Sequence, residues 1–240
     1  MQLAIRDLEI LVGVPGDTLY RWAKTRRLPL MRVGDRHFAG RFDLLTWALS
    51  TGTILARNPW VRNTDDRSGA DRLVDAVELG GTRNLDVLEP GDLAAALPAL
   101  LETLPEAPAK LRDLMRARLS AAMSGAYLVL PAGLAVPHPR HPLLVDVDRQ
   151  IVRTIFFGSP LQGLPASGAG DRSARITAWC WILAPRVDDH ALLLAEILRA
   201  AGHARVHSAL LEDRSGPTLV TALREFSAED RARLAAETRR

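Results

Sequence analysis

Cysteine is almost absent from this chain: one, Cys180, stands in 240 residues. No disulfide can form within the chain, and a zinc site built from several thiolates is excluded. No apolar run reaches the ~18–20 residues needed to cross a bilayer, so no membrane role is expected. The first residues include Asp7 and Glu9 and lack the basic, apolar and small-residue order of a secretory signal. A cytoplasmic location is the default expectation. Lysine is scarce as well. It stands only at Lys24 and Lys110, so nearly all of the 31 basic residues are arginine. With abundant Ala, Leu and Gly, that bias reflects a GC-rich genome and carries no functional information. Hydrophobic residues make up 48% of the chain, the usual share for a globular protein.

What charge there is lies unevenly. Residues 1–50 hold eight Lys/Arg against five Asp/Glu, while residues 51–240 hold 23 of each. The whole net charge of +3 belongs to the first fifth of the chain. A small basic module on a neutral body points to an anionic partner for the module.

Within that module, Ile5, Leu8 and Leu11 recur at helical spacing. Gly13 suits the left-handed residue of a tight turn, and Pro15 suits the first turn of a second helix. Asp17 supports the positive end of that helix, and Leu19 and Trp22 pack it on the first. Leu30–Val33 and Arg36–Phe38 flank Gly34-Asp35 as a hairpin. Phe42, Leu45 and Leu49 form the stripe of a third helix, with Trp47 beside it. Leu19, Trp22, Phe42 and Trp47 are the expected core. Helix, turn, helix, wing and helix is the layout of a small DNA-binding domain.

Leu3 through Leu49 resembles the excisionase or MerR-type helix-turn-helix domain. The matching residues are Gly13-Val14, Thr18-Leu-Tyr-Arg-Trp22, Leu28-Pro29, Arg32-Val-Gly34, Arg36 and Trp47. The resemblance implies that the second helix enters the major groove while the wing contacts backbone or minor groove. Thr18, Arg21, Lys24 and Arg36 are the positions this assigns to DNA. Residues 20–36 carry six basic groups against Asp35 alone, which suits phosphate neutralisation. The small interface of one such module leads to the expectation of a homodimer.

Residues 51–71 lack periodicity and hold turn signals such as Asn58-Pro59, so a linker is expected there, with Trp60 as an aromatic able to dock on a domain. From about 72 to 240 helical and extended patterns alternate. Helices are expected at 73–79, 90–104, 108–123 and 188–201, with shorter ones at 205–211, 216–226 and 228–238. Strands are expected at 82–88, 127–130, 134–136, 143–145, 151–157 and 176–183, with a Gly/Ser/Pro-rich loop over 158–172. The fold class is therefore α/β (α+β), an α/β sandwich on a mixed sheet. Cys180, between two tryptophans in a strand, is expected to be buried and inert.

Within this body, Leu134-Ala-Val-Pro-His-Pro-Arg-His-Pro142 is a small apolar run that delivers His138 into a segment framed by three prolines. Proline stops helix and central-strand continuation, which sets His138 at a strand end or on a short loop. Such a histidine can be a base, a metal ligand, a phosphoryl acceptor or an ordinary surface residue. Leu134–His138, the long strands, Trp181-Ile-Leu-Ala-Pro185 and Asp189-His-Ala-Leu-Leu-Leu-Ala195 together resemble a phosphotransferase-system EIIA domain of type 2, the fructose, mannitol and nitrogen-related class. The resemblance covers about residues 73–226. It implies an EIIA type-2-like sandwich in which His138 accepts phosphate from an HPr-like phosphocarrier protein and His190 is the second, nearby histidine, with no cofactor or metal. The sequence departs from the family where a Gly-Asn-Gly or Gly-Asp-Gly precedes the Pro-His motif. Here only Gly133 is retained, with Ala132 in the polar position, and Arg118 is the candidate for the family's arginine. His141, His203 and His207 have no counterpart and are expected at the surface.

Three functions follow. The first is a transcriptional regulator whose EIIA-like domain senses phosphorylation of His138. The second is an EIIA-type phosphocarrier that passes phosphate to a sugar-specific component, a phosphohistidine transfer activity at most. The third is an EIIA fold that no longer takes phosphate and serves dimerisation.

Overall fold

The computed structural model describes residues 2–61, 68–86, 93–104, 107–121, 127–130, 132–137, 142, 144–145, 147–163 and 174–238. The first helix, α1 (Ile5–Val12), follows the Ile5/Leu8/Leu11 spacing, and the Asp7 carboxylate accepts the Ala4 N–H at 2.9 Å at its start. Gly13 ends it in the left-handed conformation, φ 78°, where a side chain would be strained. The second helix, α2 (Gly16–Thr25), starts one residue after Pro15, so the proline flanks the helix rather than opening its first turn. Its first amide, on Gly16, is held by the Glu9 carboxylate of α1 at 2.6 Å. Charge as well as packing therefore fixes the α1–α2 angle. Leu8 and Leu19 are fully buried between the two.

The expected hairpin forms from β2 (Met31–Val33) and β3 (Arg36–Gly40) around Gly34-Asp35. A strand that periodicity could not reveal, β1 (Gln2–Ala4), pairs antiparallel with the other edge of β3; three residues are too few for alternation to register. The third helix, α3 (Arg41–Thr51), buries Leu44, Leu45, Trp47 and Leu49. Phe42, expected in the core, is 38% exposed and lies edge-on against Trp60, ring centroids 5.2 Å apart. Trp47 is in the core as expected, and its indole N–H donates to the Arg26 carbonyl at the end of α2 (2.8 Å).

Where a linker was expected, residues 52–61 form a packed strap. Ala56 and Arg57 donate their amides to the Leu11 carbonyl, and Leu55 is buried. Asn58 donates to the Leu192 carbonyl at 2.9 Å and the Glu196 carboxylate at 2.8 Å, and the Trp60 indole donates to Asp188 at 3.2 Å. The next helix, α4 (Gly69–Gly80), begins three residues before the expected Arg72, with the Ser68 hydroxyl accepting the Asp71 amide at 3.1 Å. Residues 62–67 of the expected linker lie outside the described residues.

The body is a five-stranded mixed sheet of order β4-β7-β8-β6-β5, built from β4 (Thr82–Leu85), β5 (Tyr127–Val129), β6 (Leu134–Pro137), β7 (Ile151–Gly163) and β8 (Ala174–Leu183). The central β7–β8 pair is antiparallel; β4 runs parallel to β7, β6 parallel to β8, and β5 antiparallel to β6. Alternation sorts the two faces. Val152, Phe156, Ala178, Cys180 and Ile182 join the core under α4, α7 (Val187–Ala201) and α9 (Gly216–Thr238), together with the N-terminal module. Ile151, Ile155, Phe157, Trp179 and Trp181 join a second core with α5 (Leu93–Glu102) and α6 (Ala109–Ala121). The expected α/β sandwich with a mixed sheet is thus present.

Several boundaries differ from the sequence expectation. The 158–172 loop is partly strand: β7 runs on to Gly163 and pairs with β8 from Ala174, after a register shift between Phe156 and Leu161 that takes up Gly158-Ser-Pro160. Residues 164–173 lie outside the described residues. The 143–145 strand reduces to a single bridge between Leu144 and Ala184. Helix α5 continues through Pro98. The two helices expected over 216–238 are one, α9, because no Gly or Pro interrupts it after Pro217 and Ser227 is buried, donating its hydroxyl to Asp71. A short helix, α8 (Ala204–Ser208), and a π-helical turn (Ala209–Asp213) join α7 to α9. His203 is not a plain surface residue: it pairs with Glu229 at 3.2 Å, and its ring lies 5.7 Å from that of Phe226.

Candidate functional site

The basic residues of the N-terminal module ride on two elements clamped together. Tyr20 of α2 meets His37 of β3 edge-on, centroids 5.2 Å apart, and the Arg26 guanidinium covers the Trp22 ring at 4.8 Å. On this frame Arg21, Lys24 and Arg36 are exposed and Thr18 is half-buried. Among the described residues, no carboxylate lies within ion-pairing distance of Arg21, Lys24 or Arg36. Arg32 is different: it is turned back onto its own hairpin, bonding the Gly34 carbonyl at 2.9 Å and Asp35 at 3.5 Å.

His138, with residues 139–141, lies outside the described residues, and so does the side chain of Arg118. Its chain neighbour Pro137 is the last residue of β6. Because β6 and β8 run parallel, Pro137 and Leu183 end at the same edge of the sheet, and α7 begins there after Ala184-Pro185-Arg186. The turn that precedes β6 is tied inward. The Thr177 amide donates to the Gly133 carbonyl at 2.9 Å and its hydroxyl to the Ala132 carbonyl at 3.2 Å.

His190 sits one residue deeper in α7 than expected. Its amide donates to the Arg186 carbonyl at 3.1 Å, so the helix-end amides without an intrahelical acceptor are those of Val187, Asp188 and Asp189. The imidazole is 1% exposed, its Nε2 has no hydrogen-bond partner, and burial pushes its pKa down to about 4. The ring is neutral and enclosed rather than turned to solvent. The cause lies outside α7: every residue from Asp189 to Ala201 is buried, because the sheet covers one side of the helix and the strap, through Asn58 and Trp60, covers another.

The same covering creates a site that the sequence reading missed. Arg199 makes a two-pronged bond to Glu196 (2.7 and 2.9 Å) and pairs with Asp230 of α9. Arg233 holds Asp230 at 2.7 Å and the Ala56 carbonyl at 2.8 Å. All of Glu196, Arg199, Asp230 and Asn58 are buried. Desolvation pushes the Glu196 carboxyl above its ordinary value against the pull of Arg199 and Asn58. For Arg199, desolvation works against the charge, but attraction to Glu196 and Asp230 outweighs it and raises the pKa. The available signal was two charges, Glu196 and Arg199, three apart inside the otherwise apolar run Leu192–Ala201. On the opposite face of the sheet, Arg153 is also buried, bonding the carbonyls of Gly80 at 2.8 Å and Thr103 at 2.5 Å at the ends of α4 and α5.

Cys180 is buried as expected, and desolvation pushes its thiol up to about 12, which leaves it without thiolate reactivity. Among the described residues there is no group of three or more His, Cys, Asp or Glu able to hold a metal ion, and no helix long and apolar enough to cross a membrane.

No protein-family profile and no curated relative matches the chain. Among solved structures, it is similar to a candidate PTS IIA protein (PtxA) from Streptococcus mutans, at 14% identity and a TM-score of 0.47, over 63% of this chain and 92% of that one. It is also similar to a candidate PTS IIA domain from Streptococcus pyogenes M1 GAS, at 16% identity and a TM-score of 0.48, over 64% of this chain and 95% of that one. At that level the likeness carries no inference about function.

Proposed function

We propose that the protein is a DNA-binding transcriptional regulator, with a winged helix-turn-helix module in its first fifty residues and an EIIA-type-2-like sensing body after the strap. One observation carries this reading. Among the described residues, Arg21, Lys24 and Arg36 are exposed without a carboxylate partner on two clamped elements, while the buried Arg153 and Arg199 are engaged. Unpaired cations on a rigid frame suit a row of phosphates, whose neutralisation releases counterions. Thr18 adds a hydroxyl on the same helix. A homodimer would present two such modules to a two-fold site.

The sensing step is assigned to His138. An HPr-like carrier would donate phosphate by exchanging its own phosphorus–nitrogen bond for one to His138, adding a charge of about −1.5 to −2. Support comes from residue chemistry and from Pro137 standing at a strand end. A second reading, a body that no longer takes phosphate and serves dimerisation, is favoured by the enclosed, neutral His190 and by apolar Ala132 ahead of the motif. A carrier that delivers phosphate onward to a sugar-specific component would have no use for the basic module.

Two measurements test these assignments. Anisotropy of labelled duplex DNA should show binding at low salt that weakens steeply as salt rises; no binding at low salt rejects the DNA reading. Incubation with the general phosphotransfer proteins and labelled phosphoenolpyruvate should label the chain but not His138→Ala. Label that survives the substitution, or none at all, leaves the second reading.

A further inference from the structure

A cleft of about 410 Å³ lies between the N-terminal module and the body. Ile10 and Leu11 of α1 line one side, Val61 of the strap and Leu234 of α9 another, and the buried Glu196–Arg199–Asp230 group closes it. Its volume falls in the range of small-molecule pockets, and junctions between folding units are where such pockets concentrate.

Deep in this cleft the acceptors are used and donors remain. Its buried carboxylates are already engaged, Glu196 by Arg199 and Asn58 and Asp230 by Arg199 and Arg233, while Asp7 at the exposed rim accepts the Ala4 amide. Three of its guanidiniums, those of Arg41, Arg57 and Arg233, are partly open to solvent, and two of these, Arg57 and Arg233, are not saturated. Arg57 uses one terminal nitrogen, on Glu237, and Arg233 uses one, shared between Asp230 and the Ala56 carbonyl. Among the described residues, Nε and the other terminal nitrogen of each have no acceptor. A guanidinium carries five N–H donors and no acceptor, so the places beside Arg57 and Arg233 suit an anion. Beside these donors, Ile10 leaves half of its surface, 51%, open.

We propose that this cleft binds a small organic anion, a carboxylate or phosphate ester on an apolar body, with Arg57 and Arg233 holding the charge and Ile10 and Leu11 covering the apolar part. The ligand bridges the module and the body. It therefore gives the protein an input separate from His138, one that sets how firmly the module is seated. The effect on DNA rests on the DNA-binding reading; the site itself does not.

The full chain is titrated calorimetrically, without DNA, with phenyl phosphate, benzoate and inorganic phosphate. Saturable binding of phenyl phosphate or benzoate is expected, clearly tighter than inorganic phosphate, and the better of the two assigns the ester or the carboxylate. Arg57→Gln should weaken it roughly tenfold, the usual worth of a charge-assisted hydrogen bond. Ile10→Trp should abolish it by filling the cleft. Because Ile10 is half exposed, this variant keeps its fold and its melting temperature, and so serves even if Arg57→Gln does not fold. No saturable binding of either organic probe, binding unchanged by Ile10→Trp, or inorganic phosphate binding as tightly as phenyl phosphate overturns the proposal. Binding of phenyl phosphate by a chain that never binds DNA leaves the site standing and removes only the DNA reading.

Discussion

Arginine does opposite work in two regions of this molecule. On the outer surface of the N-terminal module, Arg21 and Arg36 extend into solvent without a carboxylate partner. A short distance inward, at the seam with the body, Arg199 is 7% exposed and bonded to two carboxylates. A buried guanidinium needs its partners, because charge taken from water without compensation is costly. An exposed one is fully hydrated and can wait for an external anion at little cost. The same side chain is thus a structural tie in one place and, in the proposed reading, a recognition group in the other, and burial with pairing separates the two.

The largest break in that comparison is Arg199→Met. It leaves Glu196 and Asp230 buried without their shared cation and should cost about 3–5 kcal/mol in chemical denaturation. Next is a pH effect at His190. Its folded pKa of about 4 lies below the ordinary 6.5, so the unfolded chain takes the proton first as pH falls. The stability tied to the neutral ring is complete above about pH 6.5 and is lost as pH drops toward about 4, roughly 3 kcal/mol in all. Denaturation curves of the protein and of His190→Leu should diverge across that window; parallel curves would show the ring is not enclosed. Third, replacing Arg21 and Lys24 together by Ala should weaken DNA binding about tenfold or more and flatten its salt dependence, with no change in melting temperature. Smallest is Arg224→Ala. This arginine is exposed but paired with Glu78 at 2.7 Å, and its loss should cost less than about 1 kcal/mol. A larger cost would mean that pairing alone, without burial, makes an arginine structural.

Legibility in the sequence followed the range of the interaction responsible. The helices α1, α2, α3, α4 and α7 and the hairpin β2–β3 rest on local periodicity and turn residues, and their expected ranges agree with the structure to within a few residues. β1 did not announce itself, since its pairing with β3 spans almost forty positions of chain and only three residues. The basic face was readable because exposure needs no partner: six cations in seventeen residues cannot all be buried. The Glu196–Arg199–Asp230 seam was not, since Asp230 and Asn58 come from remote parts of the chain and look like ordinary surface polar residues in isolation. The enclosure of His190 failed to show for the same reason. A leucine-rich helix with polar residues at its start reads as half-exposed until the strap is laid across it.

The strap has a consequence for how the protein is made. The N-terminal module closes its own small core from residues that leave the ribosome together, Leu8, Leu19, Leu44 and Leu45. Its moorings come later and in two sets: Asn58 and Trp60 wait for α7, and Ala56 and Arg57 wait for Arg233 and Glu237 of α9, about 180 residues later in synthesis. Until α9 arrives, only the α7 set can hold the module to the body. The α9 set completes the seam, so a lesion in α9 removes contacts from Ala56 and Arg57, far away in sequence.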